Sequence, residues 1–258
     1  MPILTVEKRD TTLLITLNRP KERNALNAEL IELMRATLTD YHDNQSIRAV
    51  ILQGAGEHFC AGADIKHMHS LQTATHQENL NDATQLAELL WQLDTFPTPV
   101  IALSQGAAIG GGVGLLAACD IVCASRDAIF SFSEVKLGLI PAIISPYVLR
   151  AIGNRAMRRY FLTAERMSSD TACQLGLIHE VVTADTLIET GMALADNIAQ
   201  NGPHAVIAAK KLIADINNQS LNHASALSMA ERLATIRSTN EAREGFRAFT
   251  EKRLPNWS

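Results

Sequence analysis

An uncharged, glycine-rich segment constrains the fold of this chain more than any other feature. From Thr95 to Cys119 no side chain is charged, which is roughly the length that spans a bilayer. The segment begins with Pro97 and Pro99, however, and continues as the apolar run VIALSQG followed by the glycine run IGGGVG. We therefore predict a buried strand, a tight turn and a buried helix, and no membrane-spanning helix.

The rest of the chain alternates between strand and helix patterns. Strands are predicted at 3–8, 11–18, 48–54, 120–125, 128–134 and 176–182, and helices at 28–41 and 79–95. Helical patterns dominate from about residue 144 to the end of the chain. The sequence thus predicts the α/β fold class, with a core over residues 1–195 and a helical C-terminal region over residues 196–258.

Length, charge and cysteine content exclude several classes of protein. With 258 residues, 47% of them hydrophobic, the chain can bury a core without disulfides or metal. With a net charge of −4, the protein lacks the diffuse positive field that is typical of nucleic-acid-binding proteins. The four cysteines include no Cys-x-x-Cys pair and are typical of buried thiols in a reducing compartment. The first ten residues, MPILTVEKRD, lack a long apolar run, so we expect no secretory signal and a cytoplasmic protein.

Two loops share a design that suits the binding of an oxyanion. FCAGAD (59–64) and AAIGGGVG (107–114) each follow a predicted buried strand and begin a helix. The first turn of a helix leaves backbone N–H groups without partners, and small residues let a ligand oxygen approach them. Either loop alone is better explained by tight helix–strand packing. Two such turns that face each other would form an oxyanion hole with two donors.

Glu134 is the candidate acid/base. It lies in FSFSEVKLGLIP among apolar residues, where partial desolvation would raise the pKa of its carboxyl group towards neutrality. The alternative is a glutamate at a strand end that pairs with Lys136 and faces water. The composition of the segment favours neither.

The sequence offers no pattern for a metal or a redox cofactor. His67, His69 and His76 lack the helical spacing of metal ligands, and we predict a solvated, mobile lid between residues 66 and 81 in place of a metal site. The glycine run misses the dinucleotide-binding spacing because Leu115 replaces its third glycine. We expect no metal site and no cofactor.

The chain resembles the crotonase (enoyl-CoA hydratase/isomerase) superfamily in five motifs, which follow the family's order over nearly the whole chain: LNRPKERNALN, HFCAGADIKHM, AAIGGGVGLLAACD, SEVKLGLIPAIISPYV and EGFRAFTEKR. The resemblance implies a spiral of ββα units with a C-terminal helical trimerisation region, as a homotrimer or a dimer of trimers. It also implies an acyl thioester of coenzyme A (CoA) as substrate, with no nucleic-acid or membrane partner. The stretch SEVKLGLIPAIISPYVLRAIG is most similar to bacterial methylglutaconyl-CoA hydratases of leucine breakdown.

The resemblance also implies roles for three residues. The N–H groups of Ala63 and Gly111 would bind the thioester oxygen, and Glu134 would move the proton. Gly114 stands where the best-known hydratases carry a second glutamate, so a mechanism with two carboxylates is in doubt, and we expect room there for a bulkier or branched acyl group. We predict a lyase that hydrates a 2-enoyl-CoA such as 3-methylglutaconyl-CoA. The alternatives are a Δ3-Δ2-enoyl-CoA isomerase and a non-catalytic acyl-CoA-binding homologue.

Coenzyme A is a polyanion and needs local cations on an acidic chain. Two clusters qualify, Lys21 with Arg23 near the N-terminus and Lys252 with Arg253 near the C-terminus, although any single one is by default a solvated surface charge. The family places the second cluster on a neighbouring subunit's nucleotide. The residues implied to bind CoA are Arg23, Ala25, Leu26, Ala61, Asp64, Ile65, Phe249 and Lys252. Asp64 has the alternative role of a helix-terminal acid.

A methylglutaconyl group would bring a second carboxylate at its far end. The candidates to bind that carboxylate are Lys136, Arg150, Ser145 and Tyr147. Ser145 precedes Pro146, so it is at least as well suited to begin a helix.

Overall fold

The N-terminal part of the chain is a hairpin followed by a helix. In the computed structural model, which describes residues 1–217 and 220–257, strands β1 (Leu4–Arg9) and β2 (Thr12–Leu17) pair antiparallel. Helix α1 (Ala28–Tyr41) follows, and Asn27 caps it by accepting a hydrogen bond from the Leu30 N–H at 3.0 Å. Both strands and the helix match their predicted positions.

Strands and helices then alternate along the chain, and the strand–strand–helix order recurs at 100–118 and 121–163. The elements are β3 (Ala49–Gly54), α2 (Ile65–Ser70), α3 (His76–Thr95), β4 (Val100–Ser104), β5 (Ala107–Ile109), α4 (Gly111–Ala118), β6 (Ile121–Ser125), β7 (Ile129–Ser131), α5 (Ser145–Thr163), β8 (Met167–Ser168), α6 (Ser169–Leu175), β9 (Glu180–Val182) and α7 (Leu187–Ala199). Short 3-10 helices lie at Pro20–Glu22, Leu71–Thr73 and Glu134–Leu137.

Two sheets divide these strands between them. The larger has the order β1-β2-β3-β4-β6-β9 and is parallel from β2 onward, and the smaller has the order β5-β7-β8. Consecutive strands such as β4 and β5 therefore enter different sheets, and a helix returns the chain to the next turn of a spiral. The predicted spiral of ββα units is confirmed. The central strands β3 and β4 are buried along almost their whole length, which explains their continuous apolar sequence.

The uncharged segment at 95–119 forms β4, β5 and α4, as predicted. Every residue of α4 after Gly111 is buried. Among the residues that the structure describes, no helix is both long and apolar enough to cross a membrane.

The C-terminal part is helical. It consists of α8 (Pro203–Ile216), α9 (His223–Arg237) and α10 (Asn240–Glu251). Several large apolar side chains remain exposed on this part, namely Ile213, Ile216, Leu221, Leu227, Leu233, Phe246 and Phe249. The boundary predicted at residue 195/196 falls inside α7, whose buried residues Leu187 and Ala195 pack with the main sheet. A division of the chain at that point stays a prediction.

Two segments differ from their predicted structure. Residues 66–81 are mostly helical, because Asp64 caps α2 and a capping box of Thr75 and Glu78 starts α3 three residues earlier than predicted. The strand predicted at 128–134 ends at Ser131, and Glu134 begins a 3-10 helix. The second difference lifts Glu134 out of the sheet.

Candidate active site

Backbone hydrogen bonds hold the two glycine-containing turns side by side. The Cys60 N–H donates to the Ala107 oxygen at 3.1 Å, and the Ile109 N–H donates to the Cys60 oxygen at 3.0 Å. Gly62 has a φ of +88°, and a Cβ there would lie 2.7 Å from the Ile109 oxygen and 3.9 Å from the Gly111 nitrogen. Only glycine permits this turn to lie against the start of α4.

The N–H groups of Ala63 and Gly111 are available to a ligand. Their neighbours are engaged, since the Asp64 N–H donates to Leu26 and the Gly110 N–H donates to Ser131. Within residues 1–217 and 220–257, neither the Ala63 nor the Gly111 N–H has a hydrogen-bond acceptor. Ala63 is exposed and Gly111 half-buried, so an oxygen atom can approach both. The structure thus brings the two predicted donors together at the positive end of α4.

The carboxyl group of Glu134 lies against the same turn. Gly110 has a φ of +50°, and a Cβ on it would lie 3.0 Å from Oε1 and 3.4 Å from Cδ of Glu134. Oε2 of Glu134 is buried and has no hydrogen-bond partner in the described part of the chain. Burial raises the pKa of the Glu134 carboxyl group above its usual value. The alternative, in which the Glu134 carboxylate faces water and pairs with Lys136, is therefore wrong.

Two other glutamates, both on α3, have partners of their own. Glu78 accepts the Thr75 N–H within its capping box, and Glu88 pairs with Arg35. His67 Nε2 lies 2.6 Å from Asp82 Oδ1, which ties α2 to α3. Across the described residues, no three His, Cys, Asp or Glu side chains come together as metal ligands would.

The expectation of free space beside Gly114 is wrong. A Cβ on Gly114 would overlap Cγ2 of Ile144 and would lie 3.4 Å from Cδ1 of Leu90. Ile144 is 2% exposed and Leu90 is fully buried. The side chain of Ile144, which comes from the start of α5, therefore fills the place that a second glutamate or a bulky acyl group would take.

The residues implied to line the CoA channel form two adjacent backbone segments. The Ala61 N–H donates to Arg23 at 2.9 Å, and the Leu26 N–H donates to Gly62 at 2.7 Å. Ala25 and Leu26 are buried, Arg23 is exposed, and Ile65 is 71% exposed. The segments 23–26 and 61–65 thus lie side by side and lead directly to the Ala63 N–H.

Asp64 takes the alternative role of a helix-terminal acid. Its Oδ1 accepts the Lys66 N–H at 2.8 Å, and its Oδ2 lies 2.7 Å from Nη2 of Arg19, which also bonds to the Ala25 oxygen. Burial acts to raise the pKa of Asp64, but the bonds from Arg19, His67 and Lys66 outweigh it and hold that pKa below its usual value. Arg19 thereby joins both segments of the predicted channel.

The C-terminal CoA candidates lie on an exposed end of the chain. Phe249 is 85% exposed, and Lys252 is exposed at the end of α10. Glu241 accepts the N–H groups of His204 and Ala205 and so ties α10 to α8. Arg253, the second cation of this cluster, is occupied by Glu244 and Glu251.

Two of the candidates for a distal carboxylate are already engaged. Arg150 pairs with Asp94, and the Ser145 hydroxyl donates to the Ala142 oxygen at 2.7 Å. Lys136 is exposed, and Tyr147 is half-buried with the Arg150 guanidinium 5.8 Å from its ring.

Sequence reasoning missed Arg19 and Ile144. Arg19 stands in the quoted motif LNRP, but its partner Asp64 lies 45 residues further along the chain, so the motif alone did not show the pairing. Ile144 offered none, because its contact with Gly114 joins residues 30 positions apart through tertiary packing.

Comparisons with known proteins find relatives over nearly the whole chain. The enoyl-CoA hydratase/isomerase family model matches residues 7–258. A 2,3-dehydroadipyl-CoA hydratase of Escherichia coli is 32% identical over 259 residues, covering 100% of this chain and 99% of the relative. A short-chain-enoyl-CoA hydratase of Clostridium acetobutylicum is 33% identical over 250 residues, covering 96% and 94%. The crystal structure of an enoyl-CoA hydratase from Shewanella pealeana superposes with a TM-score of 0.95 at 38% identity, covering 99% and 96%. The chain has the crotonase fold and belongs to the enoyl-CoA hydratase/isomerase family.

Proposed function

We propose that this protein hydrates a 2-enoyl-CoA thioester with Glu134 as its single acid/base. One observation carries the proposal: the Glu134 carboxyl group lies against Gly110, next to the free N–H of Gly111 and the adjoining Ala63 turn. A carbonyl oxygen held by both N–H groups would have its reacting carbons beside that carboxylate. Family membership supports a CoA thioester as the ligand.

The hydration needs one proton transfer in each direction. The Glu134 carboxylate takes a proton from water as the water oxygen bonds to C3, and the electrons of the double bond move to the thioester oxygen. The N–H groups of Ala63 and Gly111 stabilise that enolate oxygen; each such donor contributes about 2.7–4 kcal/mol. Glu134 then returns its proton to C2. A carboxyl group with a raised pKa is a stronger base in its ionised form, which suits this role.

The CoA moiety would bind along segments 23–26 and 61–65. Arg23, Ala25, Leu26, Ala61, Asp64 and Ile65 would contact it, mainly through the backbone. Phe249 and Lys252 would reach the nucleotide of a neighbouring copy, in a homotrimer or a dimer of trimers. The exposed apolar side chains on α8 to α10 support such an assembly, since surfaces of this kind mark interfaces.

The finer substrate of the proposal is 3-methylglutaconyl-CoA, as part of leucine degradation. The support for this substrate is the similarity of the segment SEVKLGLIPAIISPYVLRAIG, which contains Glu134, to bacterial methylglutaconyl-CoA hydratases. Lys136, two residues after Glu134 and exposed, would be the cation for the distal carboxylate.

An isomerase is the second candidate, because a single carboxylate can also carry a proton between C2 and C4.

The test of hydration by Glu134 is the Glu134→Gln variant with 2-butenoyl-CoA, with Glu88→Gln on α3 as control. We expect a loss of hydration of at least about a hundredfold in Glu134→Gln only. Hydration at the wild-type rate by Glu134→Gln would exclude Glu134. If wild-type protein converts a 3-enoyl-CoA to a 2-enoyl-CoA and forms no 3-hydroxyacyl-CoA, it is an isomerase.

A further inference from the structure

An apolar wall closes the site beside α4. Cγ2 of Ile144 occupies the position of a Cβ on Gly114, and the Ile144 Cβ would lie 3.1 Å from that atom. Leu90 of α3 completes the contact at 3.4 Å. Because Ile144 and Leu90 are 2% and 0% exposed, the volume that a side chain at position 114 would take is filled with carbon.

The direction of side chains on a helix locates this wall relative to the reaction. A Cα–Cβ bond tilts towards the N-terminus of its helix, so a side chain at 114 would cover the turn that begins at Gly110 and Gly111. Positions 111 and 114 share one face, about 4.5 Å apart along the axis. The wall therefore faces the turn that begins at Gly110 and Gly111. That turn carries one oxyanion donor and contacts the Glu134 carboxylate.

The geometry of an enoyl thioester brings its C3 carbon to the same place. C3 is two bonds from the carbonyl carbon, so an oxygen held at the Gly111 N–H places C3 within about one helical turn of Gly111. The nearest protein surface on the side of position 114 is then the Ile144 side chain.

We propose that Ile144 determines specificity by packing its Cγ2 methyl group against a substituent on C3. The inference rests on the proposed function, because it takes the N–H groups of Ala63 and Gly111 as the place of the thioester oxygen. The site accepts hydrogen or a small apolar group such as methyl on the side that faces α5, and it rejects larger groups there. Glu134 acts without a second carboxylate because carbon occupies the place of one.

The backbone holds Ile144 firmly enough for this role. Its carbonyl oxygen accepts the Val148 N–H at 3.1 Å, and the Ser145 N–H donates to Ala142 at 3.2 Å. The start of α5 is thus fixed on both sides of Ile144, so the wall cannot retreat from a larger substituent without breaking these bonds.

Two substrates without geometric isomers test the proposal: 3-methyl-2-butenoyl-CoA and 3-ethyl-2-pentenoyl-CoA. The quantity measured is the ratio of kcat/KM for the ethyl substrate to kcat/KM for the methyl substrate. Ile144→Ala removes the methyl group at Gly114, and Ile144→Leu removes the β-branch while keeping the number of carbons. Val148→Ala, fully buried one turn further along α5, is the matched control.

We expect the ratio to rise at least about tenfold in Ile144→Ala and in the same direction in Ile144→Leu, and to stay within about twofold in Val148→Ala. Ile144→Leu serves if Ile144→Ala does not fold. An unchanged ratio in a folded Ile144 variant, or an equal rise in Val148→Ala, overturns this inference alone. Wild-type protein that hydrates 2-butenoyl-CoA but not 3-methyl-2-butenoyl-CoA also overturns the inference alone, because the site should accept a methyl group. If wild-type protein hydrates none of the three substrates, the proposed function fails and the inference falls with it.

Discussion

Gly112→Ala should separate the two oxyanion donors. Gly112 is buried in the first turn of α4, and a Cβ there would lie 3.0 Å from the Cys60 Cβ and 3.1 Å from the Cys60 carbonyl carbon. It would come closer still to the Cys60 oxygen, which already accepts the Ile109 N–H. Because the obstacle is buried backbone, the first turn of α4 must move away from the turn that contains Ala63.

The expected magnitude follows from the loss of one aligned donor. Removing an oxyanion donor costs about 2.7–4 kcal/mol of barrier stabilisation, so kcat for 2-butenoyl-CoA should fall by about 10²–10³-fold. KM should change little, because the CoA segments 23–26 and 61–65 are not displaced. Overpacking should also lower the free energy of unfolding by about 1–3 kcal/mol.

Gly191→Ala is the matched control for this variant. Gly191 is also buried in a helix, and a Cβ there would lie 2.8 Å from both methyl carbons of Leu103, a side chain that can adjust. The control should lose stability without losing kcat. Steady-state kinetics and urea unfolding of both variants give the answer. A folded Gly112→Ala protein with wild-type kcat would refute the two-donor geometry.

Three further predictions concern charged groups. Burial raises the pKa of Glu134, so in the native state this carboxyl group keeps a proton at pH values where the unfolded chain has released it. The contribution of Glu134 to stability should therefore fall as pH rises above the usual carboxyl pKa, and Glu134→Gln should gain stability relative to wild type over the same rise, measured by urea unfolding. Asp64→Asn leaves the nearly buried Arg19 without its counter-charge and should cost about 3 kcal/mol of unfolding free energy; a loss under 1 kcal/mol contradicts the pairing. Lys252→Ala should raise KM for the acyl-CoA more than it lowers kcat, whereas Lys211→Ala, an exposed control, should change neither. An unchanged KM in Lys252→Ala would show that Lys252 does not contact the nucleotide.

Local patterns were sufficient to predict most of the fold. The uncharged segment that became β4, β5 and α4 combined proline, apolar and glycine signals that each point to one structure, and Asn27 capped α1 as its residue type predicts. The predicted oxyanion turns also lie together, because both follow strands that run parallel in the spiral. Glycine at 62 and 110 is required there by positive φ angles, so the motif itself encodes the geometry.

The remaining features depend on contacts between distant residues. Nothing near Gly114 in sequence shows that Ile144 will fill the space beside it, so the sequence alone suggested an open pocket where there is a wall. Arg150 was a plausible anion site until Asp94, 56 residues earlier, proved to be its partner. The pattern at 128–134 predicts a strand that reaches Glu134, because a residue such as Phe132 is typical of strands. In the structure the strand ends at Ser131, and the backbone turns there to bring Glu134 to Gly110.

The carbonyl stretch of a bound thioester tests the central claim most directly. Glu134→Gln protein should bind 2-butenoyl-CoA without converting it, so an infrared difference spectrum with a ¹³C-labelled carbonyl can be recorded on a stable complex. We predict a shift of the stretch to lower frequency than in water, because two N–H groups polarise the carbonyl, and a smaller shift when Gly112→Ala is added. A carbonyl frequency equal to that of the free thioester in water would contradict the account.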